Sequence, residues 1–150
     1  MSNDKFEQMR RLMEDIIPFN RILGIKLIDA DGGKATLRFD FRDELVGNFK
    51  MGILHGGVIS SVLDVAGAVA VISSIEGDEP LKGLSTVDLR IDFLLPGGGD
   101  HFIATGHVMR PGRTLASTRM ELRNDEHKLI AIGSAVYRVS TKDEYVLMNI

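Results

Sequence analysis

The sequence predicts an α+β domain in which an antiparallel sheet of about five to six strands wraps around one long central helix. Two observations carry this. The stretch from His55 to Ile75, HGGVISSVLDVAGAVAVISSI, holds a single charged residue, Asp64, and a helix that is apolar nearly all round has to be buried. On both sides of it, runs of alternating apolar and polar residues recur, the pattern of strands with one face on a core and the other in water.

The elements follow in order. Residues 3 to 17 read as an amphipathic helix: Phe6, Met9, Met13 and Ile16 recur at helical spacing, Asn3 or Asp4 can cap it, and Pro18 stops it. A short turn, PFNRILG, follows. Ile25 to Ala30 is a strand, and Asp31-Gly32-Gly33 turns the chain. In the next strand Ala35, Leu37, Phe39 and Phe41 alternate with Thr36, Arg38 and Asp40. The polar loop RDELVGNFKMG leads into the central helix (about residues 55–75), whose small residues Ala66, Gly67, Ala68 and Ala70 let a sheet come close. After the loop EGDEPLKG come four strands. In the first, Val87, Leu89, Ile91 and Phe93 alternate with Thr86, Asp88, Arg90 and Asp92. The others are His101 to Arg110, Thr114 to Arg123 and Leu129 to Val139, with turns at Pro111-Gly112-Arg113 and Asn124-Asp125. No repeat or linker interrupts the pattern, so residues 1–150 read as a single domain with an N-terminal helix.

Composition narrows the function. The formal net charge of −3 argues against a nucleic-acid binder and offers no polybasic membrane patch. The chain has no cysteine, which excludes disulfides, Cys-based zinc sites and thiol catalysis. Its opening, MSNDKFEQMRRLMEDIIPF, mixes acids and bases and has no signal-peptide core, so a cytoplasmic protein is the expectation. Gly56 to Ile75 is long enough to span a bilayer. Asp64 at its centre would be unfavourable there by about 2.5–3.5 kcal/mol. With Ser60, Ser61, Ser73 and Ser74 also present, the expectation is a buried helix of a soluble core and no membrane span.

Asp64 is the residue that asks for an explanation, because a lone carboxylate in an apolar helix is costly unless paired, protonated or used. It is either a structural Asp bonded to a neighbour or a functional group. Gly56 and Gly57 sit where the helix begins, where free N–H groups and the positive end of the helix dipole face outward. They either make a tight turn or let a ligand carbonyl approach an oxyanion hole. Asp64 lies eight residues past Gly56, roughly 12 Å along the axis at about 1.5 Å per residue. One carbonyl cannot touch both groups of a single chain. If both act on one substrate, they come from two copies, and the site lies at the interface of a two-fold dimer. His55 is a metal ligand, an acid/base or a loop anchor. His101, His107 and His127 show no metal-binding spacing, so no metal is expected. Asn48 is either a turn residue or a hydrogen-bond partner for substrate or water. There is no GxSxG.

Together, VGNFKMGILHGGVISSVLDVAGAVA and the downstream STVDLRIDFLLPG resemble the hotdog-fold acyl-CoA thioesterases of the PaaI-like branch, and within it the YigI-type medium- and long-chain enzymes. The likeness runs from PFNRILGI through the last strand. It implies a hotdog fold, an acyl-CoA substrate, hydrolysis to a free acid and CoA, and no cofactor. It implies that Asp64 is the catalytic carboxylate, as base or nucleophile, and that the Gly56 N–H polarises the thioester carbonyl, with Gly57 beside it. It places His55 near that carbonyl, matches Asn48 to the family's loop Asn with a spacing to His55 one residue longer than in some relatives, and puts Thr86 where a hydroxyl orients the attacking water. It also implies that Asp64 and Gly56 come from opposite subunits of a homodimer, and that two dimers pair into a homotetramer. Arg110 and Arg113 flank a turn where basic residues can meet the CoA phosphates, or form a solvated hairpin; Arg90 can serve either purpose. Two other functions fit the same fold: an enoyl- or 3-hydroxyacyl-CoA hydratase-dehydratase, and a non-catalytic acyl-CoA-binding domain.

Overall fold

The computed structural model describes residues 2–75 and 83–140. Its elements are α1 (Asn3–Arg11), a π-helical turn (Leu12–Ile16), α2 (Pro18–Leu23), β1 (Lys26–Asp31), β2 (Lys34–Asp40), a 3-10 turn (Asp43–Leu45), β3 (Val46–Asn48), β4 (Ile53–Leu54), α3 (Gly56–Ser73), β5 (Gly83–Phe93), β6 (His101–Arg110), β7 (Leu115–Asn124) and β8 (Leu129–Ser140). Six strands form one sheet in the order β1-β2-β6-β7-β8-β5, antiparallel at every pairing. β3 and β4 form a separate small hairpin. The expected architecture, a six-stranded antiparallel sheet around one helix, is the observed one.

Alternation produces the sheet's two faces. Ala35, Leu37 and Phe39 of β2, Phe102 and Ala104 of β6, and Ala116, Met120 and Leu122 of β7 are buried against α3. Phe39 and Phe102 sit opposite each other across the β2–β6 ladder and stack with ring centroids 5.1 Å apart. Such side chains contribute about 1.5–3 kcal/mol each when fully buried. α3 has a mean hydropathy of 1.8 and the length of a bilayer span. Its residues Val62, Leu63, Ala66, Val69 and Ala70 are wholly covered by the sheet, as a core helix requires.

Several expectations are corrected. α1 is capped by the Ser2 hydroxyl, which accepts from the Lys5 N–H at 3.3 Å, and not by Asn3 or Asp4. Pro18 does not end the helical region. It occupies the first turn of α2, where its missing N–H costs nothing, and α2 ends on Gly24 at φ 71°. The segment read as the turn PFNRILG is therefore a short helix. The loop RDELVGNFKMG contains the 3-10 turn and β3. The loop at 76–82 and the tail at 141–150 lie outside the described residues.

The correction that matters for the site is in β5. Strict alternation puts Thr86 on the outer face with Asp88, Arg90 and Asp92. The ladder slips between Thr86 and Asp88: Thr86 pairs with Tyr137 and Asp88 with Val136, leaving Val87 as an extra residue. This bulge turns Thr86 inward, to the face of Leu89, Ile91 and the helix.

Helix and sheet touch at backbone distance. A Cβ on Gly106 of β6 would overlap the main-chain carbonyl of Ala66 in α3. Gly106→Ala is therefore expected to destabilise the fold by about 1–3 kcal/mol or more, read as a lower urea midpoint. An unchanged midpoint would show that the two backbones are further apart than described.

Candidate active site

The start of α3 is built by three residues. His55 is the N-cap, at φ −65° and ψ 136°, and its Nδ1 accepts the Gly57 N–H at 2.8 Å. With Nδ1 an acceptor, the ring proton lies on Nε2. The His55 carbonyl takes the Val58 N–H at 3.0 Å and the Ile59 N–H at 3.3 Å. Among the described residues, the Gly56 N–H is the one donor of the first turn left without an acceptor. It projects from the positive end of an 18-residue helix. The Phe93 ring lies alongside, 3.4 Å from where a Gly56 Cβ would be. The chain is held there by the His55 N–H on Leu45 O at 2.8 Å and the Leu54 N–H on Gly97 O at 3.0 Å. Of the three roles open to His55, anchoring the helix start is the one its Nδ1 performs.

Asp64 lies two turns further on, half-buried. Its Oδ1 accepts the Thr86 hydroxyl at 2.9 Å. The Tyr137 hydroxyl is 3.1 Å from the same Oδ1 and 2.7 Å from the Asp64 main-chain oxygen. Asp64 Oδ1 is thus met by the Thr86 hydroxyl and by the Tyr137 proton that it shares with the main-chain oxygen, rather than by a cation. Tyr137 is fully buried on β8, on the same inward parity as Ala135 and Val139. Its hydroxyl fits because residue 67 is glycine: a Cβ there would overlap it. Burial pushes the Tyr137 phenol far above its ordinary range, and the negative charge of Asp64 and the hydrogen bond to it add to the rise. The phenol stays protonated and acts as a donor.

The remaining expected residues are dispersed. Asn48 forms the β3–β4 turn: its Oδ1 accepts the Lys50 and Met51 N–H groups at 3.1 and 3.3 Å. Arg110 and Arg113 are exposed at the β6–β7 hairpin. That hairpin lies past the C-terminal end of α3, where Val108 and Ser74 both line the space above Gly33. Arg90 is on the outer face of β5, opposite to Thr86, and pairs with Asp92 at 3.1 Å. Within one chain, Gly56 and Asp64 stand at separate points of α3. Among the described residues no three His, Asp or Glu side chains gather as metal ligands would. Sequence reasoning missed Tyr137. The signal was present: a single polar aromatic on an inward strand position needs a partner for its hydroxyl, and a mid-helix glycine offers the room.

Residues 51–131 match the model of the thioesterase superfamily. The chain belongs to the thioesterase superfamily. It is 42% identical over 133 residues to the medium/long-chain acyl-CoA thioesterase YigI of Escherichia coli, covering 82% of this chain and 86% of that one. A solved thioesterase-superfamily structure from Shewanella oneidensis superimposes with a TM-score of 0.82 at 32% identity, covering 91% of this chain and 96% of that chain. The E. coli PaaI protein superimposes at 0.78 with 26% identity, covering 91% and 94%. The family likeness read from the sequence and the hotdog architecture are both borne out.

The His55 cap is testable apart from activity. His55→Ala is expected to destabilise by about 1 kcal/mol, and His55→Asn, which can still cap, by much less. Equal urea midpoints for the two variants would show that the cap is not what His55 supplies.

Proposed function

We propose that the protein is an acyl-CoA thioesterase, hydrolysing a medium- to long-chain acyl-CoA to free acid and CoA. The observation that supports this best is that one helix carries both an unengaged N–H at Gly56 and a carboxylate held by two hydroxyls at Asp64. The Gly56 N–H donates to the thioester carbonyl oxygen and stabilises the negative charge that builds there. Asp64 takes a proton from water as the water oxygen bonds to the carbonyl carbon. Collapse of the tetrahedral species breaks the C–S bond, and the CoA sulfur leaves and takes up the proton. Attack by the carboxylate itself, giving an anhydride that water then hydrolyses, uses the same two groups. Thr86, which the family likeness assigns to orienting that water, donates its hydroxyl to Asp64 and so supports the carboxylate that takes the proton.

The dimer reading has its own support. β5 ends the sheet, and Val87, Phe93, Leu94 and Leu95 on and beside it are 60, 54, 48 and 47% exposed. An open apolar edge is suited to pairing with a second copy. α3 also carries Val65, Ala68 and Ile72 at the margin of the core, only half covered. An isologous β5–β5 contact would cover both surfaces and bring Gly56 of one subunit toward Asp64 of the other. A second apolar set, Ile16, Phe19, Ile22 and Ile28, is exposed around α2 and β1 and supports pairing of dimers into a tetramer. Phe49 and Met51 at the β3–β4 turn, 83 and 60% exposed, are suited to meeting an acyl chain, whereas Leu54 is core. Arg110 and Arg113 are suited to the CoA phosphates; Arg90, facing away and paired, is not. The chain length follows the relative's name and the exposed apolar side chains near the helix start.

Gly56 stands at the first helical position, where proline is favoured, and His55 already has the extended backbone that precedes proline. Gly56→Pro therefore deletes the N–H with the helix intact. It is expected to lower kcat about 10²–10³-fold, and Asp64→Asn about 10²–10⁴-fold. Co-expressed, the two inactive variants form mixed dimers in which one site is native, so roughly a quarter of native activity returns. No recovery on mixing would place each site within one chain. Native-rate release of free thiol by Asp64→Asn would sink the mechanism.

A further inference from the structure

We infer that Tyr137 is a positioning residue that, with Thr86, locks Asp64 by its Oδ1 and leaves Oδ2 as the oxygen that meets the reactants. This rests on the reading of Asp64 as the reacting carboxylate. A carboxylate has two oxygens and about four acceptor positions. Thr86 donates to Oδ1 at 2.9 Å, and the single Tyr137 proton is shared between Oδ1 at 3.1 Å and the Asp64 main-chain oxygen at 2.7 Å. Among the described residues none donates to Oδ2. The two hydroxyls come from neighbouring positions: Thr86 and Tyr137 face each other directly across the β5–β8 ladder, so the sheet fixes the spacing of their backbones. The Tyr137 hydroxyl is also 2.7 Å from the main-chain oxygen of Asp64. One phenol thus lies against the backbone and the side chain of the same residue, which fixes the torsions between them.

Two local departures from the expected pattern make this lock. The bulge at Val87 turns Thr86 inward, and the missing side chain at Gly67 admits the phenol. Packing alone would be satisfied by phenylalanine at 137. Burial and the adjacent carboxylate push the phenol's pKa up, so the hydroxyl acts as a hydrogen-bond donor. Its effect on the reaction is exerted through the aim of Oδ2, where a misplacement of about 1 Å can lower a rate by about 10²-fold.

The test is Tyr137→Phe in the full-length protein, assayed by thiol release from acyl-CoA, alone and combined with Asp64→Asn. The expected result is a kcat lower by about ten- to a hundredfold with KM within about twofold, and no further loss when Asp64 is already Asn. Gly67→Ala, which keeps the phenol but drives it off Asp64, is expected to show the same split and serves if Tyr137→Phe does not fold. Native kcat in a folded Tyr137→Phe overturns the proposal, as does a rise in KM alone or an equal loss on top of Asp64→Asn. If Asp64→Asn is inactive while Tyr137→Phe is native, only the positioning role fails. If Asp64→Asn itself is native, the underlying mechanism fails.

Discussion

The structure depends on how closely α3 lies against its sheet. At Gly106 the strand backbone and the Ala66 carbonyl are so near that no side chain fits between them. That approach is what makes the rest possible. It brings β8 near enough for a buried side chain to reach into the helix, and it buries Val62, Leu63, Ala66, Val69 and Ala70 completely. It also leaves the carboxylate of Asp64 within hydrogen-bonding distance of two strands. A looser packing would leave Asp64 in apolar surroundings without donors, which is the arrangement folded proteins avoid.

The same helix sets the size of the functional unit. Its first-turn N–H at Gly56 and its mid-helix carboxylate at Asp64 are fixed about 12 Å apart along the axis by the rise of the α-helix. No loop motion shortens that distance, because both groups belong to one rigid element. A reaction that needs both at one carbonyl therefore needs two helices, related so that the start of one faces the middle of the other. The open apolar edge of β5 and the half-covered side of α3 lie where such a partner would be met. In this reading quaternary structure is not an addition to the enzyme but a condition of its chemistry.

How much of this could be read from the chain varied with how local the signal was. The helix, the alternating strands and the glycine turn at the start of α3 are patterns of neighbouring residues, and they appear in the structure nearly where the sequence puts them. Pro18 was misread because a proline stops one helix and starts another with equal ease; only the tertiary path decides. The loop before α3 hid β3 and β4, which are too short to alternate visibly. Thr86 was placed on the wrong face by alternation. A bulge conflicts with the period-2 rule by one residue, and no local sequence rule marks Val87 as the extra one. Tyr137 and Gly67 are far apart in sequence, so their fit becomes visible only when β8 lies on α3.

Tyr137 and Gly67 are also positions where local preference and structure disagree. A glycine inside a helix is less favourable than alanine by about 0.5–1 kcal/mol, and a buried phenol needs a partner that a phenylalanine does not. Each residue alone is a weaker choice than its neighbour in size. Together they are consistent, since the glycine gives the hydroxyl its space and Asp64 gives it its acceptor. Departures of this kind, costly singly and coherent as a pair, are expected where a fold carries a site rather than only a core. They also single out the middle of α3 independently of the glycines at the helix start. The helix start is marked by chain geometry, the helix middle by a hydrogen-bonded carboxylate, and both belong to the one element that the sheet is built to enclose.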